Sequence, residues 1–276
     1  MKFEVFETPQ ALYNVVKSFL HKQEVTNSLM IGILRRVNKD DYSDDFFCLG
    51  RDNDEVKIVM IILGLHIIVA TEDQATLRPA AEFITSQNLD YPGVIGPRPF
   101  VDLLVEDLKK SSGVDIELGM SQRIYRLDKV EDIKKAEGSM RFAREEDLEM
   151  LVDWTLDSGM AMSDDRKLEA DKRMAAIQNQ VMFLWEVDGK PVAMTALSRS
   201  VGDGITISLV YTPESERKKG YASNLVAQVS KHALKTYKYC TLYTDLSNPT
   251  SNSIYMKIGY KPIVDSAMYL VQGRSS

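Results

Sequence analysis

The residues best placed to do chemistry are Arg217-Lys218-Lys219-Gly220-Tyr221-Ala222. They follow the strand-like run ISLVYT (207–212) and open a segment with Leu225, Val226, Val229 and Leu234 at helical spacing. A helix start presents unpaired backbone N–H groups and the positive end of the helix dipole. Gly220 permits a turn conformation and a close backbone approach that other residues resist. The small Ala222 allows close packing of helix on strand. Three cations in a row complete a cradle for an anion such as a pyrophosphate.

A second constellation follows at Asn248, Ser251, Tyr255, Gly259 and Tyr260. Asn248 and Ser251 are suited to a helix start, and Gly259 to a helix stop. A tyrosine hydroxyl at 255 can lend a proton to a departing thiolate. Other chemistries lack their residues. There is no G-x-x-x-x-G-K-[ST] phosphate loop and no early G-x-G-x-x-G. His21, His66 and His232 lack ligand spacing, so no metal is expected. Cys48 and Cys240 read as buried free thiols of a reducing, cytoplasmic chain.

The elements that must position these residues show a rhythm. In the second half the pattern predicts strand 140–143, helices 145–156 and 165–178, strands 181–187, 191–199 and 204–212, helix 221–237, strand 240–244, helix 251–258 and a final strand 261–271. Asp188-Gly189 is a hairpin dipeptide. The first half gives a weaker version: helices near 11–20 and 28–37, an acidic turn 40–45, strands 46–50 and 56–70, helix 75–87, a short strand, helix 100–110 and strand 116–128. The repeat is of element order, not of residues.

With 276 residues, 44% hydrophobic and 27% charged, the chain reads as a globular protein of two domains, 1–130 and 131–276. The apolar run 59–70 is too short to cross a membrane and is broken by Gly64 and His66. The net charge of −6 divides as −5 and −1 between these parts, which argues against a nucleic-acid partner.

The pattern V-Y-T-P-x-x-x-R-x-x-G-Y-A (210–222), followed by N-x-x-S-x-x-x-Y-x-x-x-G-Y (248–260), resembles the acetyl-CoA site of the GNAT superfamily of N-acetyltransferases. The whole chain resembles the tandem type, on the stretch YPGVIGP…RIYRLDKV (91–130). The resemblance implies an α+β fold of two GNAT-like domains. Each would be a mixed, mostly antiparallel twisted sheet flanked by helices. The N-terminal domain would be degenerate, because QATLRPAAEF (74–83) stands where a cofactor loop would lie.

The resemblance further implies acetyl-CoA as co-substrate, held by the C-terminal domain. Strands 204–212 and 240–244 would splay to admit the pantetheine arm, which would pair with Leu209, Val210 and Tyr211. The Val210 N–H would meet the thioester oxygen. Arg217, Lys218, Lys219, Gly220, Tyr221 and Ala222 would hold the pyrophosphate. Asn248 would bond the pantetheine arm, with Ser251 counted beside it, and Tyr255 would be the general acid. Thr206 and Ser208 stand where relatives can carry a glutamate base, so a water-relayed base or none is expected; Glu186, Asp157 and Glu214 are the lesser alternatives, and His232 reads as structural. The loop 157–165, with Met160, Met162, Trp154, Trp185 and Tyr211, would border the acceptor. The acceptor would be a primary amine of a small molecule or peptide, and the chain a monomer or homodimer. The alternative function is a CoA-responsive regulatory module without turnover.

Overall fold

One element series occurs twice along the chain. A computed structural model describes residues 1–35, 46–63, 66–161 and 164–273. The first series is β1 (Lys2–Phe6), α1 (Pro9–Leu20), α2 (Ser28–Leu34), β2 (Phe46–Asp52), β3 (Glu55–Leu63), β4 (His66–Thr71), α3 (Leu77–Ser86), β5 (Gly93–Pro97), α4 (Arg98–Ser112) and β6 (Ile116–Leu127). The second is β7 (Ser139–Phe142), α5 (Leu148–Asp157), α6 (Arg166–Gln178), β8 (Met182–Val187), β9 (Lys190–Val201), β10 (Gly204–Tyr211), α7 (Tyr221–Ala233), β11 (Tyr239–Asp245), α8 (Pro249–Ile258) and β12 (Lys261–Val271). Single 3-10 turns precede α3 and α5.

The expected apolar run 59–70 is two antiparallel strands, β3 and β4, paired from Ile58↔Thr71 to Leu63↔His66. One strand was not expected at all. Lys2–Phe6 pairs antiparallel with β2, from Lys2↔Arg51 to Phe6↔Phe47. Five residues with charges at 2 and 4 carry little strand signal, and pairing with β2 decides the matter. The acidic turn 40–45 and the end of the predicted helix 28–37 lie outside the described residues.

The chain forms two units: Met1–Ile124 with Thr244–Asn248 and Pro262–Ser276, and Tyr125–Tyr243 with Pro249–Lys261. This differs from a division at 130/131 with a contiguous second domain. Tyr125, Leu127 and Val130 are buried with Leu225, Tyr255 and Ile258 in the core of unit 2. Ala267 and Val271 of β12 are buried with Val94, Leu104 and Ile116 in the core of unit 1. Apolar burial of that size outweighs chain order in assigning a strand to a core.

In unit 1 the strand order is β1-β2-β3-β4-β5-β12, with residues 116–124 of β6 beside β12. β12 is antiparallel to β5, from Ser266↔Pro97 to Leu270↔Gly93. In unit 2 the order is residues 125–127 of β6, then β11-β10-β9-β8-β7. The hairpin β8–β9 turns at Asp188 and Gly189, whose φ values of 47° and 74° suit the dipeptide foreseen there. One face of this sheet meets α7 through Ile205, Ile207, Leu225 and Val229. On another, Leu151, Ile177, Met194 and Ala196 form a separate core with the α5–α6 pair.

Candidate functional site

β10 and β11 are parallel neighbours over three residue pairs only, Gly204↔Tyr239, Ile205↔Cys240 and Thr206↔Thr241. Gly204 is needed there, because a Cβ would lie 2.2 Å from the Tyr239 ring. Beyond Thr206 and Thr241 the two strands run on without pairing. At the same point β10 loses register with β9. Ser208 pairs with Ala196 and Tyr211 with Met194, which leaves Leu209 and Val210 as a bulge. Leu209 carries φ 53°, a left-handed conformation that a branched side chain rarely takes. A bulge frees backbone groups from the ladder and re-aims them. Leu209, Val210 and Tyr211 are all partly exposed.

The loop after β10 leads to α7. Lys218 and Gly220 both have positive φ, 66° and 87°, and Gly220 is the N-cap of α7. A Cβ on Gly220 would have room, its nearest neighbour being Ala136 Cβ at 3.7 Å, so the backbone angle is what requires glycine. Among the described residues no side chain caps α7, so its first N–H groups have no capping acceptor. Arg217 is fixed by a 3.0 Å bond from its Nε to the Thr212 carbonyl, and Lys219 pairs with Glu216 at 2.9 Å. Tyr221 is buried in the core, while Ala222 is half-buried.

This helix start lines a cleft of about 290 Å³. Lys218, Lys219 and Gly220 form one side, Lys134 and Lys135 another, and Lys257 of α8 a third. No acid lines it among the described residues. Asn224, buried one turn into α7, donates to the Lys134 carbonyl (3.1 Å) and the Gly220 carbonyl (3.0 Å). Lys134, Lys135, Lys257 and Asn224 escaped the sequence reading. The available signals were the Lys-Lys pair in VEDIKKAEG and a polar residue on an otherwise apolar helix face.

Tyr255 is buried between Tyr125 and Tyr260, with ring centroids 6.5 and 6.0 Å away. Burial pushes its hydroxyl up to about 12, so it holds its proton at neutral pH. That hydroxyl makes no hydrogen bond among the described residues, yet it is not sealed. Its neighbours are satisfied: Tyr125 donates to Asn252 Oδ1 (2.9 Å), and the Tyr260 and Ser230 hydroxyls are 2.9 Å apart. Ser251 lies half-buried on α8. Asn248 ends the segment Thr244–Asn248, which belongs to unit 1, and its N–H donates to the Asp245 carbonyl at 3.1 Å.

The alternative bases divide clearly. Glu186 is engaged by Arg141, while Asp157 and Glu214 are exposed. Thr206 is buried with its hydroxyl 3.1 Å from that of Thr241, and the Ser208 carbonyl accepts from Thr195 at 2.9 Å. His232 stacks near Phe142 and Phe183, both at 5.7 Å, as a packed side chain would. Trp154 meets Tyr211, with centroids 5.8 Å apart. Trp185, expected as an acceptor wall, is instead sealed in the core and donates to the Glu137 carbonyl at 2.7 Å. Met162 lies outside the described residues. Both cysteines are buried free thiols, each raised to about 12 by desolvation. No described helix is long and apolar enough to cross a membrane.

In unit 1 the corresponding turn is closed from within. The Asp73 carboxylate accepts from the Ala75 N–H at 2.9 Å, and the Thr71 and Thr76 hydroxyls meet at 3.0 Å. Glu72 and Asp73 stand where unit 2 has its cations.

A family model described as FR47-like protein matches residues 188–270. A search of the curated proteins returned no match. Among solved structures, an acetyltransferase of the GNAT family from Colwellia psychrerythraea is 12% identical with a TM-score of 0.67, over 98% of this chain and 99% of that one. A GCN5-related N-acetyltransferase from Sphaerobacter thermophilus is 12% identical with a TM-score of 0.66, over 97% and 94%. A tandem GNAT protein from the clavulanic acid biosynthesis pathway is 11% identical with a TM-score of 0.55, over 100% of both chains. The chain shares its fold with these GNAT acetyltransferase structures, a tandem one among them, and its residues 188–270 match the FR47-like model.

Proposed function

We propose that the chain is an acetyl-CoA-dependent N-acetyltransferase of the cytoplasm, with unit 2 as the active unit and a primary amine as acceptor. The observation that carries this reading is the parting of β10 from β11 beside the Leu209–Val210 bulge, at the strand end that leads to the uncapped start of α7. A parted pair of strands offers unused backbone groups to an amide-rich chain, and an uncapped helix start surrounded by lysines suits a pyrophosphate.

Acetyl-CoA supplies an acyl group already activated as a thioester. Lys218, Lys219 and the first N–H groups of α7 hold its phosphates, with Lys134, Lys135 and Lys257 adding charge from the other sides of the cleft. Leu209, Val210 and Tyr211 bind its amide-rich arm, assisted by Ser251. The Val210 N–H is the donor for the thioester oxygen. As the amine nitrogen bonds to the acetyl carbon, the carbon–sulfur bond breaks, and Tyr255 delivers a proton to the sulfur. Its raised pKa keeps that proton in place until needed. No carboxylate stands at Thr206 or Ser208, so the proton lost by the amine leaves through water. Unit 1 takes no CoA, because its turn is filled by Asp73.

Calorimetry of the intact chain with acetyl-CoA, followed by thiol detection across a panel of amines, tests the reading. Binding together with thiol release supports it. Absence of binding removes it, and binding with no release from any amine favours the regulatory module.

A further inference from the structure

We propose that Arg199 recognises the acceptor, and that the acceptor is a small amine carrying a carboxylate, such as a free amino acid. This rests on the N-acetyltransferase reading of unit 2. Arg199 lies in β9 at a break of register: Ser200 pairs with Ile205 and Ser198 with Thr206, so Arg199 is the extra residue of a bulge. Its φ of 30° is unusual for a side chain of that size. A bulge next to a functional site re-aims a side chain, and this one sends a guanidinium across the strands. Its central carbon stands 5.4 Å from the ring centroid of Tyr243, in the stretch where β11 no longer pairs with β10.

Among the described residues the guanidinium has no acid partner, and Arg199 Nε is buried with no hydrogen bond. Arg141 by contrast has Asp147 and Glu186, and Arg166 has Asp153 and Glu149. The Arg199 Nη groups make no bond among the described residues and are not sealed, so they are accessible. The aromatic ring holds the planar fork in one orientation.

Hydroxyls surround the base of this side chain. Ser198 donates to the Thr206 carbonyl (3.5 Å), and Thr206 donates to the Arg199 carbonyl (3.4 Å). Ile205 and Ile207 point into the α7 core, as do Cys240 and Leu242, which leaves Thr206, Thr241 and Tyr243 to the other face, and Arg199 lies over Tyr243 there, beside the parted strands. A fixed fork without an acid, at the edge of the gap where the acyl group would be presented, matches a carboxylate two-to-two. The carboxylate would anchor the acceptor while its amine reaches the thioester.

The test uses the intact chain with acetyl-CoA and matched acceptors: glycine and methylamine, lysine and cadaverine, phenylalanine and phenethylamine, with phosphoethanolamine as a phosphate-bearing control. Thiol release gives kcat/KM. The expected result is a preference of about tenfold or more for the carboxylate member of at least one pair. Arg199→Gln should erase that preference by raising KM more than it lowers kcat, and Arg199→Lys should restore part of it. Calorimetry should show unchanged acetyl-CoA affinity in both variants, which also reports that they are folded. Equal use of both members of every pair, preference for phosphoethanolamine alone, a preference that survives Arg199→Gln, or no turnover of any member while acetyl-CoA still binds would each overturn the inference. Failure of the wild type to bind acetyl-CoA would instead remove the enzyme reading beneath it.

Discussion

The Asn224 side chain joins α7 to the chain entering unit 2 through a 3.1 Å hydrogen bond to the carbonyl of Lys134. The same amide nitrogen reaches the Gly220 carbonyl at 3.0 Å. One buried side chain thus fixes Lys134 and the glycine turn against each other. Asn224→Ala would leave both carbonyls without this donor. The expected cost is about 1–2 kcal/mol of unfolding free energy in denaturant titration. Acetyl-CoA affinity should fall several-fold as the lysines on the two sides lose their register. Unchanged affinity in a destabilised variant would limit Asn224 to a packing role.

Gly220 requires its own test. With φ 87° and open space around the missing Cβ, the penalty for a side chain is conformational. Gly220→Ala should therefore cost about 1–2 kcal/mol from the left-handed angle alone. Gly220→Val should cost more, because β-branched residues resist that region further. Both should lower acetyl-CoA affinity, read by calorimetry. A Gly220→Val variant with wild-type stability and binding would show that the turn relaxes freely.

The lysine cleft predicts a salt dependence. Lys134→Glu and Lys218→Glu each replace an attraction to phosphate with a repulsion, so each should weaken acetyl-CoA by roughly tenfold at low salt. The difference should narrow as ionic strength rises, since exposed charges are screened. Titration calorimetry at two salt concentrations checks this. A Lys134→Glu variant that binds as wild type would remove the linker from the phosphate site.

Much of the local geometry of the candidate site was legible because its parts are close in sequence. R-x-x-G-x-A fixes a turn and a helix start within six residues, and the observed Gly220 angle is what that spacing asks for. The element order of unit 2 was equally readable, since each strand and helix carries its own apolar period. What escaped depends on contacts distant in sequence. Lys134 and Asn224 are 90 positions apart, and nothing local announces their bond. The same holds for β12, whose residues carry strand character without stating which core they join. Arg199 was missed for a different reason: a bulge breaks the period-two alternation on which the reading of strands relies. The strand at Lys2–Phe6 was lost because its charges hide a short edge strand that β2 stabilises.

The role proposed for Tyr255 can be tested apart from binding. Its hydroxyl is not hydrogen-bonded among the described residues, and its ring is buried, so Tyr255→Phe removes one oxygen and leaves the packing intact. kcat should fall by about 10²–10⁴-fold, in the range of a lost general acid, with acetyl-CoA affinity within a few-fold of wild type. Pre-steady-state thiol release would locate the loss in the chemical step. A kcat equal to wild type would end the role of Tyr255 as acid.

Arg141 and Asp147 form an ion pair that should make the stability of unit 2 depend on pH in acid. The Asp147 carboxylate accepts two bonds from Arg141, at 2.7 and 2.9 Å, and one from the Arg144 N–H at 2.7 Å. Burial by itself would raise its pKa, but the Arg141 hydrogen bonds, the Arg144 N–H and the two positive charges outweigh it and hold the carboxyl below the ordinary carboxylate range. Because the folded pKa is the lower one, this stabilisation is complete above the unfolded value near 3.9 and is lost as pH falls through the folded value. Asp147→Asn should therefore cost stability at neutral pH and flatten the acid limb of the stability profile below about pH 4. Asp147→Ala leaves Arg141 with Glu186 alone and should cost about 3 kcal/mol or more at pH 7. Denaturant titrations of the three proteins from pH 7 to pH 3 provide the measurement, and parallel profiles for wild type and Asp147→Asn would show that another group governs the acid transition.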